Sequence, residues 1–119
     1  LEDRTILVIQ DGEKTAIRRR PSRGLLAGLY EFPNVSGHLS KEETLEMIRE
    51  MNLDPLYIEP LPDAKHIFSH IEWRMTAYRV RVSSLEDNNR ANLLFVSRKQ
   101  SDRQYAIPSA FSAYTRYIE

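Results

Sequence analysis

The chain has 119 residues, with 17 lysine and arginine residues against 17 aspartate and glutamate residues and no cysteine. A domain of this length can bury one hydrophobic core, and the balanced charge argues against a polybasic arm that binds nucleic acid through bulk charge. The lack of cysteine excludes disulfides, thiolate metal sites, iron–sulfur clusters and a cysteine nucleophile from these residues. No apolar run approaches the ~20 residues that span a bilayer. Because the chain begins with Leu1 rather than methionine, we expect it to be a fragment of a longer protein.

The first thirty residues favour β-structure. The apolar run 6–9 and the Asp11-Gly12 dipeptide that follows it predict a strand and a tight hairpin turn, with residues 15–19 as the returning strand. A basic, turn-rich loop follows over residues 18–24, and the apolar segment 25–33 contains glycines that let the backbone bend.

One helix is well defined in the middle of the chain. Ser40 followed by Glu43 three residues later predicts an N-terminal capping box. Leu45, Ile48 and Met51 recur at helical spacing, with Met47 beside them, so one face is apolar. The helix is expected to end near Asn52.

The second half of the chain is predicted to return to strands. Residues 56–58 indicate a short strand that Pro60 and Pro62 end, and residues 64–68 and 71–82 indicate two strands around a corner at Ser69-His70. In the longer strand the apolar positions change parity near Ala77, which predicts a bulge or a strong twist there.

A polar loop over residues 83–92, a strand over 93–96 and a helix from Pro108 complete the prediction. Phe111, Tyr114 and Ile118 form one stripe of the last helix. The predicted fold class is α+β, with a mixed or antiparallel sheet of about six strands, one central helix and one C-terminal helix. Residues 1–119 are expected to form a single domain.

The order strand, glycine-containing loop, Glu-Phe-Pro and acidic helix resembles the Nudix fold. Nudix hydrolases carry a motif G-x5-E-x7-R-E-U-x-E-E-x-G-U, in which U is a bulky aliphatic residue. Aligned on Gly37, the motif places Met51-Asn52 where its Arg-Glu pair belongs; aligned on Arg49-Glu50, it places Leu53-Asp54 where its Glu-Glu pair belongs. Neither alignment assembles the paired carboxylates that bind the catalytic metals. The resemblance therefore implies a Nudix-like fold without Nudix catalysis, and no catalytic or metal-binding residue is predicted in this chain.

Three further segments resemble the C-terminal domain of MutY-type A/G-specific adenine DNA glycosylases. Residues 24–33, Gly-Leu-Leu-Ala-Gly-Leu-Tyr-Glu-Phe-Pro, are similar to the family's G-L-L-x-x-L-W-E-F-P stretch, with Tyr30 in place of tryptophan. Phe68-Ser69-His70 resembles the family's F-S-H loop, and residues 105–108, Tyr-Ala-Ile-Pro, resemble its closing signature. The three segments occur in the family's order across nearly the whole chain.

This resemblance implies a role in recognising 8-oxoguanine opposite the adenine to be removed in base excision repair. Phe68, Ser69 and His70 are the implied binding residues. 8-Oxoguanine carries a proton on N7 and an oxygen at C8, and a hydroxyl both accepts and donates, so Ser69 is chemically suited to either group. Phe68 would form an apolar wedge or wall, and His70 would bind a phosphate or hold the loop. Without the resemblance, the sequence indicates an ordinary turn residue at Ser69 and a core residue at Phe68.

Arg18, Arg19, Arg20 and Arg23 are candidate phosphate contacts in that setting, although such a cluster is equally typical of a solvated loop. Lys65, Arg98, Lys99 and Arg103 are weaker candidates. His66 and His70 are four residues apart, but on strand or loop geometry this spacing does not give a metal pair.

The resemblance also implies what lies elsewhere. Base flipping and cleavage of the N-glycosidic bond belong to an N-terminal catalytic domain of the same protein, which carries the catalytic carboxylates and an iron–sulfur cluster; no cofactor is expected in these 119 residues. The implied partners are double-stranded DNA with 8-oxoguanine:adenine mispairs and that catalytic domain, without a membrane, in the bacterial cytoplasm at the nucleoid.

Two alternatives stay open. The chain could be a divergent Nudix nucleotide hydrolase, with Glu43, Glu46 or Glu50 holding Mg²⁺. It could also be a non-catalytic protein-interaction module of Nudix-like shape.

Overall fold

A computed structural model describes residues 1–12, 14–24, 26–84, 93–97 and 107–118. Its strands are β1 (Glu2–Asp11), β2 (Lys14–Arg19), β3 (Tyr30–Glu31), β4 (Asn34–Ser36), β5 (Pro55–Ile67), β6 (Glu72–Val82) and β7 (Leu94–Val96). Helix α1 is Lys41–Glu50, and a 3₁₀ turn at Ser109–Phe111 leads into α2, Ser112–Thr115. Most of the predicted loop 83–92, Tyr105 and Ala106 of the closing segment, and Arg98, Lys99 and Arg103 lie outside the described residues.

The sheet is mixed, and β1 is its centre. The strand order is β3-β2-β1-β6-β5, with β4 also paired to β1 and β7 to β2. β1 runs parallel to β6 and antiparallel to β2, so the start of β1, the end of β2 and the start of β6 lie at one end of the sheet. The predicted α+β fold class is confirmed, with seven strands in the described residues rather than about six.

Both faces of the sheet are covered, which explains the change of parity in β6. Trp73, Met75 and Ala77 pack on the face beneath the C-terminal helix, whereas Val80 and Val82 pack on the face beneath α1. The pairing of β6 with β1 runs without interruption from Glu2↔Trp73 to Gln10↔Arg81. The register shifts lie instead in β5, one between Pro55 and Tyr57 and one between Leu61 and Ala64, and the second is opposite Ala77. The irregularity was therefore predicted at the right level of the sheet but in the wrong strand.

The prediction that Pro60 and Pro62 end a short strand is wrong, because β5 continues through both prolines to Ile67. β5 is the last strand in the sheet order, and a strand at a sheet edge can hold proline, since the missing N–H does not interrupt a second ladder. The shift in register between Leu61 and Ala64 accommodates Pro62. The Pro62 carbonyl accepts a hydrogen bond of 2.9 Å from the Tyr114 hydroxyl. Burial of this hydroxyl raises the pKa of Tyr114 to about 12.

Helix α1 begins and ends as its residues predict. The Ser40 hydroxyl accepts from the Glu43 N–H at 3.1 Å, and the Glu43 carboxylate accepts from the Ser40 N–H at 2.9 Å. These two bonds form the predicted capping box and lower the pKa of Glu43. Met51 caps the other end, and Asn52 then adopts a positive φ of 62°. Among the described residues, no helix has the length and apolar character needed to cross a bilayer.

We predict that Ser40→Ala lowers the free energy of unfolding by about 1 kcal/mol, because it removes the acceptor for one N-terminal N–H of α1. It should also raise the pKa of Glu43 toward its ordinary value, since the capping bonds favour the carboxylate. Urea denaturation measures the first effect and an NMR pH titration the second. Ser36→Ala, at an exposed position of β4, is the control, and equal unfolding midpoints in the two variants would contradict the prediction.

Candidate functional site

The turn between β5 and β6 places Ser69 and His70 at the tip of a two-residue hairpin. The Phe68 N–H donates to the Ile71 carbonyl at 2.7 Å, which closes the turn, and both tip residues are exposed. The corner predicted at Ser69-His70 is confirmed. A hydroxyl and an imidazole thus project from a turn with a defined backbone, where an external ligand can reach them.

Phe68 is held against the protein behind this tip. Its ring makes edge-to-face contacts with His66, at a centroid distance of 4.7 Å, and with Trp73, at 5.2 Å. Such contacts contribute about 0.5–1.5 kcal/mol beyond the burial of area. Phe68 is partly buried against the core, so it forms a fixed wall beside Ser69 rather than a freely projecting wedge.

Trp73, the chain's single tryptophan, is fully buried and links the turn to the basic segment. The Arg4 and Arg20 guanidinium carbons lie 5.2 and 5.3 Å from its ring centroid, and Phe111 packs against it at 5.7 Å. Its indole N–H has no hydrogen-bond acceptor among the described residues. Aromatic and cation–π contacts therefore hold the indole in place.

Glu31 is a buried carboxylate that binds Arg18 and Arg20, the second of which lies over Trp73. Its carboxylate is 2% exposed and accepts from Arg18 Nε at 2.9 Å, from Asn34 Nδ2 at 2.8 Å and from Arg20 Nη1. Arg18 also donates to the Asn34 carbonyl at 2.7 Å. A buried carboxylate is tolerated when charges and hydrogen bonds compensate its desolvation, and this carboxylate has three donors.

The four arginines predicted as phosphate contacts fall into two pairs. Arg18 and Arg20 turn their guanidinium groups to Glu31 and are 31% and 12% exposed. Arg19 donates to the Gly28 carbonyl at 3.0 Å on the surface, and Arg23 is exposed. All four follow the end of β2 or belong to it, at the end of the sheet where β6 starts. Their contact with phosphate stays a prediction, and the geometry favours Arg19 and Arg23.

The acidic face of α1 borders a shallow depression of about 400 Å³ lined in part by Glu43, Glu46 and Glu50. Glu43 is engaged in the capping box, and Glu46 lies 3.8 Å from Arg49. Within the described ranges, no three histidine, aspartate or glutamate side chains are grouped so that they could hold a metal ion. The three glutamates therefore border the depression without being grouped as metal ligands in the part of the chain that the structure describes.

Sequence reasoning missed the part played by Arg4, Asn34 and Glu31. Glu31 belongs to the Glu-Phe-Pro segment, and nothing in its local pattern indicates a buried carboxylate. Its partners Arg18, Arg20 and Asn34 come from other strands and loops, so the network exists only after the sheet has formed. A glutamate within an otherwise apolar stretch was the one available signal.

Comparison with known proteins gives one family and a common fold. The family model described as NUDIX domain matches residues 4–117. The C-terminal domain of mouse MUTYH, solved in complex with human PCNA, is 20% identical, with a TM-score of 0.73 over 98% of this chain and 89% of that one. A NUDIX-family hydrolase from Clostridium perfringens is 11% identical, with a TM-score of 0.69 over 98% and 95% of the two chains. The mismatch repair protein MutT from methicillin-resistant Staphylococcus aureus 252 is 18% identical, with a TM-score of 0.62 over 98% and 95%.

We predict that Glu31→Gln lowers the free energy of unfolding by about 2–3 kcal/mol, because it removes a buried negative charge that accepts hydrogen bonds from two guanidinium groups. Urea denaturation should show the loss, and the fluorescence of Trp73 should change in the native state because Arg20 loses its anchor. Glu46→Gln removes an exposed carboxylate 3.8 Å from Arg49 and should cost less than about 0.5 kcal/mol. Equal stability of the two variants would show that the Glu31 network contributes no more than a surface pair.

Proposed function

The chain belongs to the NUDIX domain family, and from that premise we propose that it is the lesion-recognition domain of an A/G-specific adenine DNA glycosylase. In this role it reads 8-oxoguanine opposite the adenine that the enzyme removes. The observation that carries the proposal is the exposed Ser69-His70 tip, backed by the Phe68–Trp73 contact. The likeness in fold to the C-terminal domain of mouse MUTYH supports it.

The Ser69 hydroxyl supplies the discrimination in this proposal. It accepts a hydrogen bond from N7–H of 8-oxoguanine or donates one to O8, whereas guanine presents an acceptor at N7 and no oxygen at C8. The lost or unsatisfied bond with guanine corresponds to about 1–3 kcal/mol at a partly dehydrated site. Phe68 forms the apolar wall that excludes water from one side of this contact, and His70 donates to a phosphate oxygen.

Phosphate contacts hold the duplex in register in this proposal without reading its sequence. Arg19 and Arg23 are the favoured residues, since their exposed side chains lie at the same end of the sheet as the turn. Arg18 and Arg20 have a structural role in this proposal, because their hydrogen bonds to Glu31 stabilise the segment that carries Arg19 and Arg23.

The parent protein in this proposal is the enzyme. An N-terminal catalytic domain would flip the adenine out of the helix and hydrolyse its N-glycosidic bond, and it would carry the iron–sulfur cluster. The described residues of this chain would bind DNA beside it, in the cytoplasm of a bacterium, and perform no bond cleavage.

A divergent nucleotide hydrolase is the second candidate, because solved NUDIX hydrolases share this fold. This hypothesis places the reaction in the depression lined by Glu43, Glu46 and Glu50. An interaction module is the third: the mouse domain was solved with human PCNA, so a protein partner is compatible with this fold.

We predict that Ser69→Ala reduces the preference of the chain for a duplex with 8-oxoguanine opposite adenine over the same duplex with guanine. The expected reduction is about 5- to 150-fold, the equivalent of about 1–3 kcal/mol. Fluorescence anisotropy at low salt measures both affinities. Ser36→Ala, at another exposed serine, should keep the wild-type ratio. An unchanged ratio in Ser69→Ala would remove Ser69 from the proposal.

The hydrolase alternative requires the glutamates of α1 for catalysis, whereas the lesion-recognition proposal does not. Our proposal expects no Mg²⁺-dependent turnover of 8-oxo-dGTP above the rate in a protein-free blank, measured as pyrophosphate or phosphate release. Turnover that disappears in Glu43→Gln, Glu46→Gln or Glu50→Gln but persists in Ser69→Ala would establish the hydrolase instead.

A further inference from the structure

We infer that the face of the β5–β6 hairpin opposite Phe68 is a second DNA-contact surface, formed by Lys65, Ile67 and Arg74. This inference rests on the proposed function, because it takes DNA as the partner. Lys65 and Arg74 bind phosphates of one strand, and Ile67 packs as the apolar wedge in the groove.

The alternation of side chains along the hairpin separates its two faces. His66 and Phe68 pack with Trp73 on the core face, so Lys65 and Ile67 project from the other face. Helix α1 covers that face near Ile58, Val80 and Val82, at the opposite end of the hairpin. Near the tip, Ile67 is 65% exposed, although a large aliphatic side chain gains by burial.

Two cations stand directly opposite each other beside this isoleucine. Lys65 pairs with Arg74 in the antiparallel register, Lys65 is exposed and Arg74 is 52% exposed. Like charges at directly opposed positions destabilise a sheet. Such a pair is favourable when a polyanion lies across it, since both cations can then bind phosphate oxygens.

Acidic side chains border this cation pair, and both Lys65 and Arg74 remain exposed beside them. Glu72, opposite Ile67, lies 3.8 Å from Arg74 and compensates it in part. His38 contacts the Arg74 carbonyl at 2.9 Å and lies 3.7 Å from Asp3. Asp63 lines a depression of about 360 Å³ together with Lys65 and Arg74.

Ile67 then takes the wedge role that the sequence suggested for Phe68. Proteins that enter the DNA groove insert apolar side chains such as isoleucine between base steps. Phe68 is engaged with His66 and Trp73, whereas the side chain of Ile67 extends into solvent one residue away. The hairpin would enter the groove with Ser69 at its tip, Phe68 supported by the core and Ile67 against the bases.

Three variants and two matched controls test this surface in the 119-residue chain. The variants are Lys65→Gln/Arg74→Gln, Ile67→Ser and Ser69→Ala. The controls are Lys41→Gln/Arg49→Gln, two exposed cations of α1, and Leu56→Ser, a leucine 67% exposed on the same strand β5. Anisotropy titrations with the 8-oxoguanine and guanine duplexes across a range of KCl give the affinity and its salt slope, and 2-aminopurine beside the lesion reports unstacking.

We expect the double variant to reduce the slope of log K against log[KCl] by about 2, one unit for each lost phosphate contact. Ile67→Ser should bind about tenfold more weakly with an unchanged slope and should lose the 2-aminopurine signal. Both controls should match the wild type.

The outcomes separate the two proposals. If Ser69→Ala abolishes the preference for 8-oxoguanine while the face variants match their controls, this inference is overturned and the proposed function stands. If Lys65→Gln/Arg74→Gln and Ile67→Ser weaken binding to both duplexes and Ser69→Ala leaves the preference for 8-oxoguanine intact, the second DNA-contact surface is supported and the role of Ser69 in reading the lesion is contradicted. Absence of binding to either duplex at low salt would contradict both.

Discussion

The contacts of Trp73 are the interaction on which the rest of the site depends. The indole is fully buried, and its ring meets Phe68, Phe111, Arg4 and Arg20. It therefore connects the hairpin turn, the C-terminal helix and the basic segment after β2. Because the indole N–H is without an acceptor among the described residues, the orientation of the ring is determined by these neighbours. These contacts also support the Phe68 ring, which forms the wall behind Ser69.

The parallel pairing of β1 with β6 explains why these elements meet. β2 returns antiparallel to β1, so its arginines end beside the start of β6 and beside the turn that precedes it. The buried carboxylate of Glu31 then binds Arg18 and Arg20, and Arg20 lies over the Trp73 ring. This arrangement gives the turn a rigid support, while the exposed tip residues stay available to a ligand. A rigid scaffold that presents a short polar loop is a common arrangement for recognition.

Much of the fold could be predicted because its signals are local. The capping box of Ser40 and Glu43 and the corner at Ser69-His70 each depend on a few neighbouring residues. The helix predicted from Pro108 is reduced to a 3₁₀ turn at Ser109–Phe111 and four α-helical residues, although Phe111, Tyr114 and Ile118 are buried together as their spacing predicts. The course of β5 could not be predicted in this way. Pro60 and Pro62 argue against a strand in general, and their tolerance depends on the position of β5 at the edge of the sheet.

The site could be predicted in part for the same reason. The resemblance to the glycosylase family indicated the turn, and the structure places its residues on an exposed tip. The Glu31 network could not be predicted, since its four side chains come from two stretches of chain, residues 18–20 and 31–34, that meet only in the folded sheet. The division of the hairpin into a core face with Phe68 and an open face with Ile67 also required the register of β5 against β6.

The central claim is that the Ser69-His70 turn reads 8-oxoguanine, and an NMR titration of the isotopically labelled chain tests it most directly. Two duplexes would be compared at low salt, identical except for 8-oxoguanine or guanine opposite adenine. The account predicts amide shifts concentrated at residues 68–70 and in the basic segment 18–23, larger with the lesion at equal DNA concentration. Shifts confined to the basic segment and equal for both duplexes would contradict it, and would reduce the domain to a general DNA clamp.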